Sequence, residues 1–108
     1  MVDLEPVRGS EANKQRPAVL VSNDGANSMA ATLGRGVVTV VPITSNVSRV
    51  HSFQVFLSAT SAGLERDSKA RAEQVRSVSV ERIAAAVGRL EPREMHALEA
   101  ALRLHLGL

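Results

Sequence analysis

Histidines are the first side chains to consider for catalysis, because two histidines can act as the base and the acid in the cleavage of an ester or a phosphodiester. The chain has three of them. His96 and His105 lie nine residues apart, and on a helix that turns by about 100° per residue they point to opposite sides. His51 is isolated within a predicted turn. The spacing therefore argues against a pair of histidines that converge on one substrate, and a lone histidine such as His51 is more often a solvated side chain than a catalyst.

Metal ligands and activated nucleophiles are equally sparse. The chain has no cysteine, and its densest acidic segment, Glu65-Arg66-Asp67, contains an arginine that favours a turn over a cation site. No Gly-x-Ser-x-Gly sequence is present to form the strand-to-helix turn of a serine hydrolase. We therefore expect no metal, no cofactor and no serine or cysteine nucleophile.

A basic loop and two apolar, β-branched segments offer a different chemistry. The loop ends at Arg16 and leads directly into a predicted strand at 17–22, and a second predicted strand, 36–44, ends at Thr44, which Ser45 follows. If these strands pair, the guanidinium meets the two hydroxyls at one rim of a sheet, where such donors suit a phosphate. On the residues alone, the commoner alternative is an arginine in solvent and a threonine that caps a turn.

The remaining segments are typical of a mainly β protein with a C-terminal helix. Alternating or β-branched runs predict a third strand at 53–57 and one or two more between 68 and 80. Residues 26–35 are small and polar, which predicts a mobile loop, and 80–90 fits a helix, a strand or a helical turn followed by a strand. A helix after Pro92 has an apolar face formed by Met95, Leu98, Leu102 and Leu106. We expect a small β-barrel or curled sheet, with the strand at 36–44 at its centre and the helix packed against it.

Length and composition indicate one domain that spans residues 1–108. The 13 lysines and arginines exceed the 11 acidic residues by two, so local clusters of charge must recognise any polyanionic partner. The two phenylalanines are the only aromatic residues other than histidine, which leaves few surfaces for base stacking. The absence of cysteine, of a targeting signal and of an apolar run of about 20 residues predicts a cytoplasmic protein that does not enter a membrane.

Six short segments, in their order along the chain, carry a family resemblance. They are Asp3-Leu4-Glu5-Pro6, Gly9-Ser10-Glu11, Arg16-Pro17-Ala18-Val19-Leu20-Val21-Ser22-Asn23-Asp24, Pro42-Ile43-Thr44-Ser45, Gly63-Leu64-Glu65-Arg66-Asp67-Ser68 and Glu73-Gln74-Val75-Arg76. Together they resemble the MazF/PemK family, the toxin halves of bacterial toxin-antitoxin pairs, and the resemblance extends over almost the whole chain. Members of that family are sequence-selective endoribonucleases.

The resemblance implies a catalytic pair at Arg16 and Thr44, which match the arginine of the family's Arg-Pro step and the threonine of its Ile-Thr step. It implies metal-independent cleavage of single-stranded messenger RNA, in which the 2'-hydroxyl attacks the adjacent phosphorus and leaves 2',3'-cyclic phosphate and 5'-hydroxyl ends. Arg16 would neutralise charge on the phosphate oxygens while the Thr44 hydroxyl orients the phosphate. Glu11 matches the family's glutamate and would either accept the 2'-hydroxyl proton or position Arg16.

The resemblance also implies an SH3-like small barrel, a homodimer and an RNA groove on that dimer. The residues it places near RNA are Lys14, Ser45, Arg49, His51, Gln74 and Arg76. The partner it implies is a cognate antitoxin whose acidic, disordered tail covers the same basic groove. It gives no reason to expect DNA binding. Met95, Leu98 and Leu102 are expected to be core residues.

One departure from the family lies at the start of the sequence. The family usually has a short Arg-Gly-Glu-Ile-Trp-like strand before its Asp-Leu step, whereas Met1-Val2 precedes that step here. We expect most of the first strand to be missing, which would expose a neighbouring strand edge and weaken folding or dimerisation.

Two alternatives to an endoribonuclease remain open at this point. CcdB toxins share the fold and act on DNA gyrase through the C-terminal helix, which would make Arg16 dispensable. A catalytically inactive domain that binds RNA or an antitoxin is the other alternative.

Overall fold

The computed structural model describes residues 2–5, 14–84 and 87–108. In these parts of the chain the strands are β1 Val2–Glu5, β2 Lys14–Arg16, β3 Ala18–Leu20, β4 Val37–Thr44, β5 Gln54–Leu57, β6 Ser68–Arg71 and β7 Arg76–Ser79. The helices are α1 Asp24–Leu33, α2 Ala59–Ala62 and α3 Pro92–Leu106, and single 3₁₀ turns lie at Ala72–Gln74 and Val80–Arg82. The fold is mainly antiparallel β with a C-terminal helix, as the sequence predicts.

Strand β4 is the centre of the sheet, which confirms the prediction for 36–44. One edge of β4 pairs with β3, and its other edge pairs with β7 along its first half and with β6 at its end. Strand β5 lies beyond β6, and β1 forms a separate antiparallel pair with β2. A run of β-branched residues suits this position, because a strand that is buried on both faces needs apolar side chains at successive positions.

Pro42 lies inside this central strand, where a proline normally breaks the ladder. The backbone N–H of the next residue, Ile43, donates to the Pro17 carbonyl at 3.1 Å. Because backbone groups alternate in direction along a strand, the missing N–H of Pro42 would point toward the opposite edge. On that edge the pairing with β7 ends at Val40 and the pairing with β6 begins at Ile43. The proline therefore costs no hydrogen bond, since the paired strand is interrupted beside it by the 3₁₀ turn Ala72–Gln74.

The core has two parts, one on each face of β4. The larger part joins β4 to α3 and includes the fully buried Leu57 and Leu98, and Met95 and Leu102 pack partly buried against it. The smaller part joins Val38, Val40 and Val78 to Ala30 of α1. Leu106, which the sequence pattern assigns to the apolar face of α3, is 55% exposed, because it lies in the last turn of the helix, beyond the buried residues of that face.

Helix α1 corrects the prediction of a loop at 26–35. Asn23 accepts a hydrogen bond from the Ala26 backbone N–H at 2.8 Å and so caps the helix, which ends at Gly34 with a left-handed φ of 65°. Only Ala30 of this helix is fully buried among the residues whose burial is described. A helix that buries one small side chain leaves almost no apolar periodicity in its sequence, which explains the wrong prediction.

The segment at 80–90 begins with a helical turn, as in the third form that the sequence left open, but no strand follows that turn in the part of the segment that the structure describes. A single 3₁₀ turn covers Val80–Arg82, and residues 84 and 87–90 are neither helix nor strand. No helix in the described ranges is long and apolar enough to cross a membrane.

We expect Leu98→Ala to lower the free energy of unfolding by about 3 kcal/mol, because it leaves a cavity between α3 and the sheet. Leu104→Ala is the matched control, since Leu104 lies on the same helix but is 59% exposed, and we expect it to cost less than about 0.5 kcal/mol. Urea unfolding at one protein concentration measures both. Equal losses would contradict the packing of α3 against the sheet.

Candidate active site

A cleft of about 590 Å³ opens at the rim of the sheet where β2 and β4 end. Its first wall is Arg16 with Pro17, and its second wall is the end of β4 with Ser45. The third wall comes from the segment after α2, joined by Val87; the cleft residues of this segment are Gly63, Leu64, Glu65, Arg66 and Ser68. Among the residues that line the described cleft, the charged ones are Arg16, Glu65 and Arg66.

The strand register brings Arg16 and Thr44 together. Ala18 is opposite Pro42, and the bond from Ile43 to the Pro17 carbonyl continues that register, so the next pair outward is Arg16 and Thr44. Directly opposed residues of an antiparallel pair project from the same face. The two strands pair as the sequence argument required, and both side chains line one cleft.

The same row continues across the sheet to β6 and β5. Thr44 is opposite Lys69 on β6, and Lys69 is opposite Phe56 on β5. We call Arg16, Thr44, Lys69 and Phe56 the cross-strand row. Its members share a face of the sheet, the one opposite to the core residues Ile43 and Ala70.

Thr44 is half-buried, and a backbone N–H two residues further along the chain orients its hydroxyl. Its Oγ1 accepts a hydrogen bond from the Asn46 backbone N–H at 3.3 Å. A hydroxyl has one donor and two acceptor sites, so this bond leaves the O–H group able to donate to a phosphate oxygen. Arg16 is exposed, and its planar guanidinium is always charged and can hold two phosphate oxygens at once. Together the two side chains supply donors and a positive charge to one anionic group.

The third wall of the cleft is fixed by short-range hydrogen bonds and by a close backbone approach. Asp67 accepts a hydrogen bond from the Ala59 backbone N–H at 2.9 Å, which ties the segment to the start of α2. Gly63 has a left-handed φ of 71°, and a Cβ there would lie 2.6 Å from the Val87 carbonyl oxygen. Glu65 and Arg66 line the cleft but are not among the residues predicted from the sequence. The signal that points to them is the Gly63–Ser68 segment of the family resemblance, for which no role was predicted.

Comparison with known proteins assigns the family. Residues 1–106 match the family described as PemK-like, MazF-like toxin of type II toxin-antitoxin system. The chain is 60% identical over 107 residues, which cover 99% of this chain and 91% of the relative, to Endoribonuclease MazF9 of Mycobacterium tuberculosis. The chain belongs to the PemK/MazF toxin family.

Solved structures of MazF toxins have the same fold. The Mycobacterium tuberculosis toxin MazF-mt6 superposes with a TM-score of 0.74 at 22% identity, covering 86% of this chain and 87% of that one. A mycobacterial endoribonuclease in complex with its cognate antitoxin superposes with a TM-score of 0.72 at 24% identity, covering 86% and 82%. The expected toxin fold is thereby confirmed for this PemK/MazF chain.

The loop that joins β4 to β5 in this PemK/MazF toxin carries two of the predicted RNA contacts, Arg49 and His51. Both are exposed, and neither lines the described cleft. The His51 ring stacks on Phe53 with 5.1 Å between ring centroids and 7° between the planes. The two residues therefore lie on a loop that begins at the cleft and leads away from it.

The other predicted contacts lie at separate places. Gln74 is exposed at the end of a 3₁₀ turn, and Arg76 is exposed on β7 opposite Val40. Lys14 lies on β2 opposite Glu5. Glu11, the third predicted catalytic residue, lies outside the described residues. No group of three or more histidine, aspartate or glutamate side chains with the geometry of a metal site occurs within the ranges that the structure describes.

We expect Gly63→Ala to destabilise this toxin more than Gly34→Ala. Both glycines have a left-handed φ, so both substitutions carry a backbone cost of about 1–2 kcal/mol, but a Cβ at Gly34 has nothing within 4 Å. The clash of a Cβ at Gly63 with the Val87 backbone adds about 1–3 kcal/mol. Urea unfolding of both variants gives the difference, and the absence of a difference would contradict the close approach at the third wall.

Proposed function

We propose that this chain is an endoribonuclease that cleaves single-stranded messenger RNA, with Arg16 and Thr44 acting on the scissile phosphate. The observation that carries the proposal is the register of β3 on β4, which sets these two residues opposite each other at one cleft. The name of the 60% identical relative, Endoribonuclease MazF9, supports the same activity.

The cleft holds two of the groups that an internal transesterification needs, a positive charge and a hydroxyl at the phosphate. The 2'-hydroxyl oxygen of the RNA forms a bond to the adjacent phosphorus and loses its proton to a base, while the bond from phosphorus to the 5'-oxygen breaks and that oxygen gains a proton. The products are a 2',3'-cyclic phosphate and a 5'-hydroxyl. Arg16 neutralises the charge that grows on the non-bridging oxygens, and the Thr44 hydroxyl orients the phosphate. We assign Glu11 the role of accepting the 2'-hydroxyl proton or of positioning Arg16.

RNA is the substrate of this reaction, and DNA is not, because the nucleophile belongs to the ribose. Ser45 lines the cleft beside Thr44 and would contact the same phosphate. We propose that the predicted contacts outside the described cleft hold nucleotides on either side of the cut; these are Lys14, Arg49, His51, Gln74 and Arg76. A homodimer would bring two such surfaces together into one groove.

An antitoxin is the expected partner, and a solved complex of a similar endoribonuclease with its cognate antitoxin supports one. We propose that an acidic, disordered segment of that partner covers the cleft. Arg16 and Arg66 are both exposed there, and a bound carboxylate would occupy the position of the phosphate. Messenger RNA as substrate implies action in the cytoplasm.

The two alternatives from the sequence are less favourable. A CcdB-like gyrase poison would have no use for Arg16 and Thr44 in one cleft, and the family match is to PemK-like and MazF-like toxins. A catalytically inactive binding domain would not need the Thr44 hydroxyl beside a guanidinium. The function best supported is the endoribonuclease.

Thr44→Val removes the hydroxyl but keeps the shape of the side chain, and we expect it to lower kcat/KM on an RNA oligonucleotide by about 10²–10³-fold. Thr39→Val is the matched control, because Thr39 lies on the same strand, β4, projects from the opposite face and does not line the cleft. We expect the control to cleave within about threefold of the wild type, because Thr39 is half-buried away from the cleft and valine has nearly the same shape as threonine. Equal activity of both variants would contradict the role of Thr44.

An oligonucleotide with one 2'-deoxy nucleotide at the cut site tests the nucleophile. In excess EDTA we expect the all-ribose RNA to be cut into fragments with 2',3'-cyclic phosphate and 5'-hydroxyl ends, and the deoxy oligonucleotide to stay intact. The control carries its single deoxy nucleotide one position away and should be cut. Cleavage of the deoxy bond would show that water attacks, and loss of cleavage in EDTA would show that a metal is required.

A further inference from the structure

Lys69 is a buried lysine beside the candidate active site, and the catalytic proposal gives it no role. It lies on β6 with 9% of its surface exposed, between Thr44 and Phe56 in the cross-strand row. Lysine is almost never fully buried unless its charge is compensated. Its position therefore requires a partner for the ammonium group.

The partner is a backbone carbonyl twenty residues away. Lys69 Nζ donates to the Arg49 carbonyl oxygen at 2.6 Å. Arg49 is in the middle of the segment 46–53 that joins β4 to β5, which we call the β4–β5 loop. The buried ammonium of the sheet thus holds the centre of a loop that carries two predicted RNA contacts.

The loop is also attached to the sheet at each end, and at its second end the Gln54 backbone N–H donates to the His51 carbonyl oxygen at 2.9 Å. Thr44 Oγ1 accepts from the Asn46 backbone N–H at 3.3 Å, and Gln54 Oε1 accepts from the His51 backbone N–H at 3.0 Å. Gln54 is itself held, because its Nε2 donates to a Glu73 carboxylate oxygen at 2.8 Å. Of these four bonds to the loop, the one from Lys69 comes from a charged donor, and such bonds are shorter and about twice as strong as neutral ones.

We propose that Lys69 is a positioning residue that fixes the β4–β5 loop against Thr44 and thereby sets which RNA sequence is cut. This rests on the proposed endoribonuclease function. Thr44 is placed by backbone pairing on both edges of β4, which does not need the Lys69 side chain. Arg49 and His51 depend on the loop conformation. Loss of Lys69 therefore affects RNA binding and choice of site more than the chemical step.

The test compares Lys69→Met with Arg103→Met in the full chain. Methionine fills a similar volume without a charge or a donor, and replacing a buried charge by an apolar group of similar size usually preserves the fold. Arg103 is exposed on α3, so its variant controls for the loss of one positive charge. Thermal unfolding verifies that both variants are folded. Amide hydrogen exchange of residues 46–52 measures the order of the loop, and steady-state cleavage gives kcat, KM and the set of cut sites on a long RNA.

For Lys69→Met we expect exchange in the loop to rise by about tenfold, KM to rise by about tenfold and new cut sites to appear. We expect kcat to change by less than about threefold and Arg103→Met to match the wild type in exchange and cut sites. Unchanged exchange and unchanged cut sites in a folded Lys69→Met would overturn the proposal, as would a fall in kcat with KM and cut sites unchanged. If the wild type cuts no RNA, the proposed function fails, and the exchange measurement still decides whether Lys69 orders the loop.

Discussion

The antiparallel register of β4, with β3 on one edge and β6 on the other, is the constraint on which the rest of the structure depends. It sets Arg16, Thr44 and Lys69 in one row. Because side chains alternate between the two faces of a strand, a slip of one residue would turn Thr44 away from Arg16. Pairing on both edges of β4 opposes that slip, because a slip would break the ladders with β3, β6 and β7 together. It would also exchange the residues of the two core parts, since Val41 and Ile43 belong to the core under α3, whereas Val38 and Val40 belong to the core under α1.

The sequence predicts the parts of the fold that have a strong local signal. Strand β4 is long, β-branched and bounded by glycine, and α3 has Pro92 at its start and a buried leucine on its apolar face. Helix α1 lacks such a signal. Its Asn-Asp-Gly start is compatible with a turn and with a helix cap, and only the contact of Ala30 with the smaller core part distinguishes the two. That contact joins segments that are distant in sequence, so local propensity does not reveal it.

The residues of the candidate site also differ in this respect, because some can be recognised from the neighbouring sequence and others only from contacts in the folded chain. Arg16 directly precedes one strand that the sequence predicts and Thr44 ends another, so their meeting requires only that these strands pair. Lys69, in contrast, cannot be recognised from its neighbours in the sequence. In the sequence it lies in a short polar run, Ser68–Arg71, and nothing local shows that it is buried. Its role depends on the register of β6 and on a carbonyl twenty residues away, and both are properties of the folded chain.

In the proposed function, cleavage of the phosphate and recognition of the RNA sequence depend on different parts of the fold. The proposed catalytic pair lies at the ends of strands that are fixed by backbone hydrogen bonds and by two buried core parts, and rigid elements hold reacting groups more closely than loops do. The proposed RNA contacts at Arg49 and His51 lie on an exposed loop, where changes of sequence cost little stability. Lys69 connects the two, since its backbone belongs to the sheet and its ammonium group holds the loop. With the proposed RNA contacts on the loop, substitutions at its tip are expected to alter which RNA is bound while the positions of Arg16 and Thr44 stay the same.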